Sequence, residues 1–360
     1  MTSPQITSVT SDMPVGGYAP GTQTATVTTK VALHGPGTAH VSVGVTGSAP
    51  RSTMIVVKSP VTIPVGATVS PQAWPIDPAT KKPPTMEQCY RDWAGQFGMP
   101  MGAKAYLHSF PTQLSQDGQL KGMSACGIPP VVCFGAFNFK DLNADRAAFI
   151  DSLKFLEQTY PHGWIVFEQE PNTGVHLSVA GPGWNAAAFI ALSHARYADV
   201  RATLPADKWP VLFCPSTGGT YQSVQTWYPG PNGCDGIAPD HYCGGGGSAK
   251  AMPAFQLAAQ IVARDGLPAG VGWLEMGCSA STVVPKPEAM TAMIQDAASF
   301  FLARKQAGEP VAPWLWWNGP DHPITPATPA MNAIWPKATN PANNYLIPVW
   351  QSAVKQVAAA

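Results

Sequence analysis

Eight short apolar runs, separated by helix-length stretches, constrain this chain more than any other feature. They are VGATVS (65–70), GAKAYLH (102–108), PPVVCFGAF (129–137), WIVFEQE (164–170), PVLFCPS (210–216), GIAPDHY (236–242), GVGWLEM (270–276) and PWLWW (313–317). Each is apolar throughout instead of alternating, the pattern of strands covered on both faces. The stretches between them have helical periodicity. Residues 143–160 open at Asn143, a good N-cap, and align Phe149, Leu153, Leu156 and Tyr160 on one stripe. Residues 287–306 align Met290, Met293, Ile294, Ala297 and Phe301, and a last helix from about 343 aligns Trp350, Val354 and Val357.

Eight strand–helix units over some 300 residues predict an α/β fold, a (β/α)8 TIM barrel spanning residues 59–360. A doubly wound open sheet is the competitor. It normally carries a glycine fingerprint after its first strand, and VGATVSPQAW has none. Residues 1–58 have a different texture, a short all-β segment. TATVTTKVAL and HVSVGVT flank the turn-like HGPGT and read as a hairpin, with STMIVVK as a third strand. Three strands with almost no aromatic residue make a poor independent core. This segment is expected to pack on the barrel or to contact another protein or assembly.

Charge narrows the function classes. Only 12% of residues are charged, against about 25% in an average domain, and the formal net charge is zero. A basic footprint for nucleic acid is absent, and so is a polybasic run for an anionic membrane. No apolar run reaches the roughly 18 residues needed to cross a bilayer. The opening MTSPQITSVTSDMP lacks a basic region followed by an apolar core, so no secretory signal is expected. A virion-associated or cytoplasmic protein, or one exported by another route, fits that reading. The seven cysteines are an odd number, and Cys133, Cys214 and Cys278 lie inside apolar runs, as small buried hydrophobes do. Cys234 and Cys243 flank one strand and could form a bridge. No CxxC pair or histidine–cysteine cluster has zinc-ligand spacing. CGGGGSAK (243–250) lacks Walker spacing and reads as a mobile loop over the barrel mouth, and CPSTG is not a nucleophile elbow.

In a barrel of this type the site lies at the C-terminal ends of the strands. Those ends carry His108, Asn138, the run Glu168-Gln169-Glu170, Asp240-His241-Tyr242, Glu275 and Trp316-Trp317-Asn318. Two rim carboxylates, Glu170 and Glu275, suggest the pair used in glycoside hydrolysis, one protonated and one ionised. Tryptophans, tyrosines and asparagines in a chain short of charge suit a neutral polyhydroxylated ligand. The candidate substrate contacts are Gln169, Asn172, His108, Asn138, His241, Tyr242, Trp316 and Asn318. His108 and His241 are equally readable as satisfied polar residues. Trp316 and Trp317 point to opposite faces, and Trp316 is preferred for the pocket. Strand alternation puts Glu168 below Glu170, as a structural carboxylate paired with a base such as Lys104 or hydrogen-bonded to neighbouring strands.

From about residue 60 onward the chain resembles clan A of the glycoside hydrolases, with the mannanase-like, family-26-like branch a candidate. The motifs are Gln169-Glu170-Pro171-Asn172 on strand four, Asp240-His241-Tyr242 on strand six, Glu275-Met276-Gly277 on strand seven and a tryptophan on strand eight. Gln169 stands where that clan has asparagine or histidine. The resemblance implies a retaining, metal-independent enzyme acting on a glycan, with Glu170 as general acid/base and Glu275 as nucleophile. The alternative is a non-catalytic barrel, a structural or glycan-binding component of a phage particle or other assembly.

Overall fold

The computed structural model describes residues 5–11, 29–34, 37–43, 51–57, 62–69, 79–107, 114–173, 181–217, 222–243, 248–278, 287–318 and 346–359. Their packing divides the chain into two units, Met1–Val61 and Thr62–Ala360. In the first unit β1 (Gln5–Ser11) pairs antiparallel with β2 (Thr29–His34), and β3 (Gly37–Val43) pairs antiparallel with β4 (Arg51–Val57). This corrects the hairpin expected across HGPGT. β2 and β3 flank that turn but belong to separate two-stranded sheets.

The second unit is a (β/α)8 barrel. Its strands are β5 (Val65–Val69), β6 (Ala103–Leu107), β7 (Pro130–Phe134), β8 (Trp164–Phe167), β9 (Val211–Phe213), β10 (Gly236–Ile237), β11 (Asp240–Cys243), β12 (Gly270–Cys278) and β13 (Val311–Asn318). All pair in parallel, in the order β5-β13-β12-β10-β9-β8-β7-β6, with β11 continuing the sixth position beside β12. GIAPDHY is therefore two short strands, broken at Pro239, which has no N–H to give a ladder. The barrel comes together where β5 approaches β6. There Met101 N donates to Val65 O at 2.9 Å and Lys104 N to Thr68 Oγ1 at 3.2 Å. Gly66 permits that approach, because a Cβ on it would stand 2.1 Å from Gly102 O.

Two apolar layers follow from strand alternation. Val131, Cys133, Val166, Leu212, Leu274 and Leu315 fill the barrel interior. Alternate strand residues such as Val132, Phe134, Ile165, Trp273, Trp314 and Trp316 face the surrounding helices. Those helices are α1 (Met86–Phe97), α2 (Gly118–Cys126), α3 (Arg146–Thr159), α4 (Ala186–Thr203), α5 (Gln222–Trp227), α6 (Ser248–Asp265), α7 (Pro287–Gln306) and α8 (Leu346–Ala359). The stripe Phe149, Leu153, Leu156 and Tyr160 is buried as expected. However, α3 begins after Asp145, not at Asn143, since Asn143 belongs to a run of turns held by Asp141 and Asn138. Met293, Ile294, Ala297 and Phe301 bury one face of α7. Cys234 is a free buried thiol whose Sγ lies 3.7 Å from Gly230 O, so the bridge to Cys243 is absent. CGGGGSAK lies mostly outside the described residues, and α6 starts at its Ser248.

The last helix closes the wall. Trp350 is 1% exposed and packs its ring 4.8 Å from that of Trp314 and 5.4 Å from that of Trp316. Trp350→Ala is expected to destabilise the barrel by about 3–5 kcal/mol, through lost burial and the cavity left behind. Urea unfolding measures this, and a change below about 1 kcal/mol would mean that α8 does not close the barrel wall.

Candidate active site

The site grows out of one anomaly in β6, a lysine in the middle of an apolar strand. Lys104 and Tyr106 are two residues apart, so both side chains point into the barrel. The Lys104 side chain is fully buried and its Nζ donates to Glu275 Oε1 at 2.7 Å and to Asp240 Oδ2 at 3.1 Å. An isolated buried ammonium is prohibitively unfavourable, so these partners are a condition of its position. Burial pulls the Lys104 ammonium towards neutrality, but Asp240 and Glu275 outweigh it and hold its pKa well above the ordinary lysine value.

Glu275 reaches the interior through an irregularity in β12. Trp273 pairs with Trp314 and Met276 with Trp316, so three steps on β12 oppose two on β13. This bulge puts Leu274 and Glu275, adjacent in sequence, both towards the barrel interior, whereas Trp273 and Met276 face the helices. Glu275 Oε1 accepts from Lys104, from the Tyr106 hydroxyl and from Gln169 Nε2, the last at 2.5 Å. Its Oε2 accepts from the Tyr242 hydroxyl. Burial raises the Glu275 carboxyl, but Lys104 and the donated hydrogen bonds outweigh it and lower its pKa below the ordinary glutamate value. Burial and the neighbouring Glu275 push Tyr106 and Tyr242 well above the usual tyrosine value, so both remain protonated donors. Asp240 moves the other way. It is raised well above the ordinary aspartate value by burial and by Glu275, with Lys104 opposing.

The segment after β8 is held by its neighbours. Glu168 N donates to Phe134 O at 2.7 Å and Glu170 N to Cys214 O at 2.8 Å. Glu168 and Glu170 have φ of 46° and 49°, the left-handed region, so strand alternation ends at Phe167 and does not relate their side chains. Two such residues within three cost on the order of 1–3 kcal/mol each and persist where the surroundings impose them. Glu168 is buried and structural. Its carboxylate accepts from Phe137 N at 2.8 Å and Ala136 N at 3.2 Å, and Lys104 serves the other two acids. Asn172 exchanges two hydrogen bonds with the Ser216 backbone, at 2.7 and 2.9 Å. Trp184 Nε1 donates to Pro171 O at 2.9 Å. Glu170 itself is half-buried, and close enough to Asp240 for its charge to raise that group.

The predicted site residues therefore divide. Gln169, Glu275 and Tyr242 meet in one hydrogen-bonded cluster, with Glu170 beside it. Asn172 staples one loop to another. Asn138 is exposed, and its side-chain oxygen accepts from Lys140 N and Asp141 N in a local turn. His241 is 6% exposed, with Nδ1 2.6 Å from Thr217 Oγ1 and its ring 6.1 Å from Trp273 on the helix-facing side. The preference between the tryptophans reverses. Trp316 is fully buried against Trp350, whereas half-buried Trp317 meets Tyr106 edge to face at 5.6 Å. Asn318 ends β13 opposite Val69, and His108 lies outside the described residues. Tyr106 is the member that sequence reasoning missed; Lys104 was expected beside Glu168 and instead meets Asp240 and Glu275, and Asp240 was named only as part of the strand-six motif. Among the described residues no group of three acids, histidines or cysteines could hold a metal ion.

No family model and no curated protein matches this sequence. Solved structures do. A fungal β-1,4-galactanase is 14% identical with a TM-score of 0.49, over 70% of this chain and 88% of its own. GH26C from Muricauda sp. MAR_2010_75 is 12% identical with a TM-score of 0.49, over 79% and 87%. The family GH26 β-mannanase BoMan26A from Bacteroides ovatus is 11% identical with a TM-score of 0.46, over 78% and 89%. At such low identity the chemistry rests on this chain's own residues.

Lys104→Met removes the ammonium that Asp240 and Glu275 share and leaves the buried negative charge of this cluster uncompensated. A loss of about 3–5 kcal/mol of folding stability is expected, measured by chemical denaturation. A loss below about 1 kcal/mol would show that the cluster does not depend on this charge.

Proposed function

We propose that this protein is a glycoside hydrolase that cleaves a neutral polysaccharide or oligosaccharide with retention of configuration, Glu275 acting as nucleophile and Glu170 as general acid/base. The observation that carries this reading is the environment of Glu275. It is a buried carboxylate at the C-terminal end of a barrel strand, held ionised by an ammonium, two phenols and an amide. A nucleophile at a barrel mouth needs its charge held in this way, and the surrounding donors hold that of Glu275.

The oxygens of Glu275 divide the work. Oε1 takes three donors and is anchored, while Oε2 takes one from Tyr242 among the described residues. Oε2 thus keeps lone-pair capacity towards an anomeric carbon. As it attacks, Glu170 gives its proton to the leaving glycosidic oxygen, and the C–O bond breaks as the glycosyl ester forms. Glu170, now ionised, takes a proton from water, which attacks the ester and regenerates Glu275. Half-buried Trp317 and Tyr106 offer apolar surface for a sugar ring, and the low charge of the chain suits a neutral substrate.

The test is turnover on a panel of neutral plant and cell-wall polysaccharides, β-1,4-mannan and β-1,4-galactan included. Glu275→Gln is expected to abolish turnover. Glu170→Gln is expected to lower it by roughly 10²–10⁴-fold, with glycosides of good leaving groups least affected, since they need no proton in the first step. NMR of the first-formed product is expected to show the substrate's anomeric configuration. Turnover that survives Glu275→Gln removes the nucleophile assignment, and an inverted product removes the double displacement. Glycan binding without cleavage by the wild type would favour the non-catalytic barrel.

A tyrosine variant tests the electrostatics separately. Tyr242→Phe removes the donor to Oε2, so the Glu275 pKa rises. The acid limb of kcat/KM is then expected to move to higher pH, since the nucleophile loses its charge earlier as pH falls. An unmoved acid limb would show that Tyr242 does not tune the nucleophile.

A further inference from the structure

Asp240 is a buried acid that the mechanism above does not use. Its Oδ2 accepts from Lys104 Nζ at 3.1 Å and from Gln169 Nε2 at 2.8 Å. The same two nitrogens donate to Glu275 Oε1, at 2.7 and 2.5 Å. One ammonium and one amide therefore serve two carboxyl groups. Asp240 Oδ1 is buried and has no hydrogen-bond partner among the described residues. Its side chain is fully buried, while Glu275 receives four donors.

We propose that Asp240 is a positioning residue that holds a proton in the resting site, leaving the single negative charge of the Lys104 cluster on Glu275. Three observations lead there. A buried group of one cation and two anions carries an uncompensated charge, and binding one proton removes it. The proton goes to the carboxyl with the poorer set of donors, because an ionised oxygen with no partner is far costlier to bury than a neutral one. Of the remaining neighbours, the Cys214 thiol favours the ionised form by a hydrogen bond to Asp240, and burial and Glu275 outweigh it. Cys133 is pushed up as a thiol by burial, and Tyr106 and Tyr242 are phenols, so none of the three adds a charge.

Gln169 acquires a specific task in this arrangement. Both hydrogens of its amide nitrogen are engaged, one by each carboxyl group, so its NH₂ positions the two acids relative to one another. The Asp240 proton is also exchangeable for the Glu275 charge. When Glu275 is neutral, Asp240 releases its proton to solvent and becomes the partner of Lys104, so the cluster stays neutral. This inference concerns the charge of the cluster and holds whatever the substrate is.

Infrared difference spectroscopy at neutral pH reads it without substrate. Wild type minus Asp240→Asn is expected to show the carbonyl stretch of one protonated carboxylic acid. In Glu275→Gln that band is expected to be lost, since Asp240 then ionises. Absence of the band in wild type overturns the proposal, and its persistence in Glu275→Gln overturns the exchange. Should either variant fail to fold, ¹³C NMR of wild type labelled in its aspartate carboxyls keeps the question answerable. One resonance is expected to remain at the protonated position at neutral pH, and a spectrum in which every aspartate is ionised overturns the proposal. These outcomes are independent of turnover, so failure of the hydrolase reading and failure of this one are separable.

Discussion

The Lys104 ammonium is fully buried, and most of the site's design follows from that. Its charge must be matched from within the barrel, and β11 and β12 each bring a carboxyl group to it. Once an acid is buried there, its own polar atoms need partners, and Tyr106, Tyr242 and Gln169 supply them. The barrel makes the arrangement affordable. Four elements, β6, the turn after β8, β11 and β12, converge there, and each contributes at least one side chain. A cluster of this type is a poor source of net stability compared with an apolar filling. It stands in an otherwise apolar interior of valines, leucines and cysteines.

The backbone around the cluster is equally determined. Glu168 and Glu170 adopt left-handed conformations that no neighbouring glycine relieves, and their N–H groups are tied to β7 and to the end of β9. Asn172 ties the same turn to Ser216, Trp184 ties it to Pro171, and Thr217 ties the next loop to Asp240 and His241. Loops at a barrel mouth are ordinarily its most variable parts. Here the segment carrying Gln169 and Glu170 is cross-linked by hydrogen bonds to two neighbouring strands, the sort of support that holds reacting groups in place.

How much of this was readable in advance depended on range. All eight barrel strands were legible, because burial on both faces leaves a continuous apolar run. The stripe of α3 was legible for the same local reason, whereas its start was displaced by turns built from Asn138 and Asp141, which compete with a cap. Glu170 and Glu275 were legible as strand-end acids. Asp240 stood in view at the end of its strand, but nothing local marks a carboxylate as the partner of a lysine 136 residues away. Asn138, Asn172 and His241 were legible as polar residues at strand ends, but the local turns and loop staples that their side chains hold were not. The antiparallel pairing of β1 with β2 escaped the reading because hairpin chemistry at HGPGT describes a turn, not which strands hydrogen-bond.

The amino-acid sequence by itself determined the barrel, the ends of its strands and the two acids placed there, because apolar periodicity and strand order are properties of neighbouring residues. Tertiary structure decided everything that depends on direction. The β12 bulge turned Glu275 inward, and the strand's own phase sent Trp316 to the helices and left Trp317 beside Tyr106. It also decided the meaning of Gln169. In WIVFEQEPN this residue is only a polar side chain between two acids. In the folded protein the left-handed turn at Glu168 and Glu170 accompanies a Gln169 amide that reaches both Asp240 and Glu275. A hydrogen bond with two partners on distant strands is a fact about packing, and no local pattern in the chain encodes it.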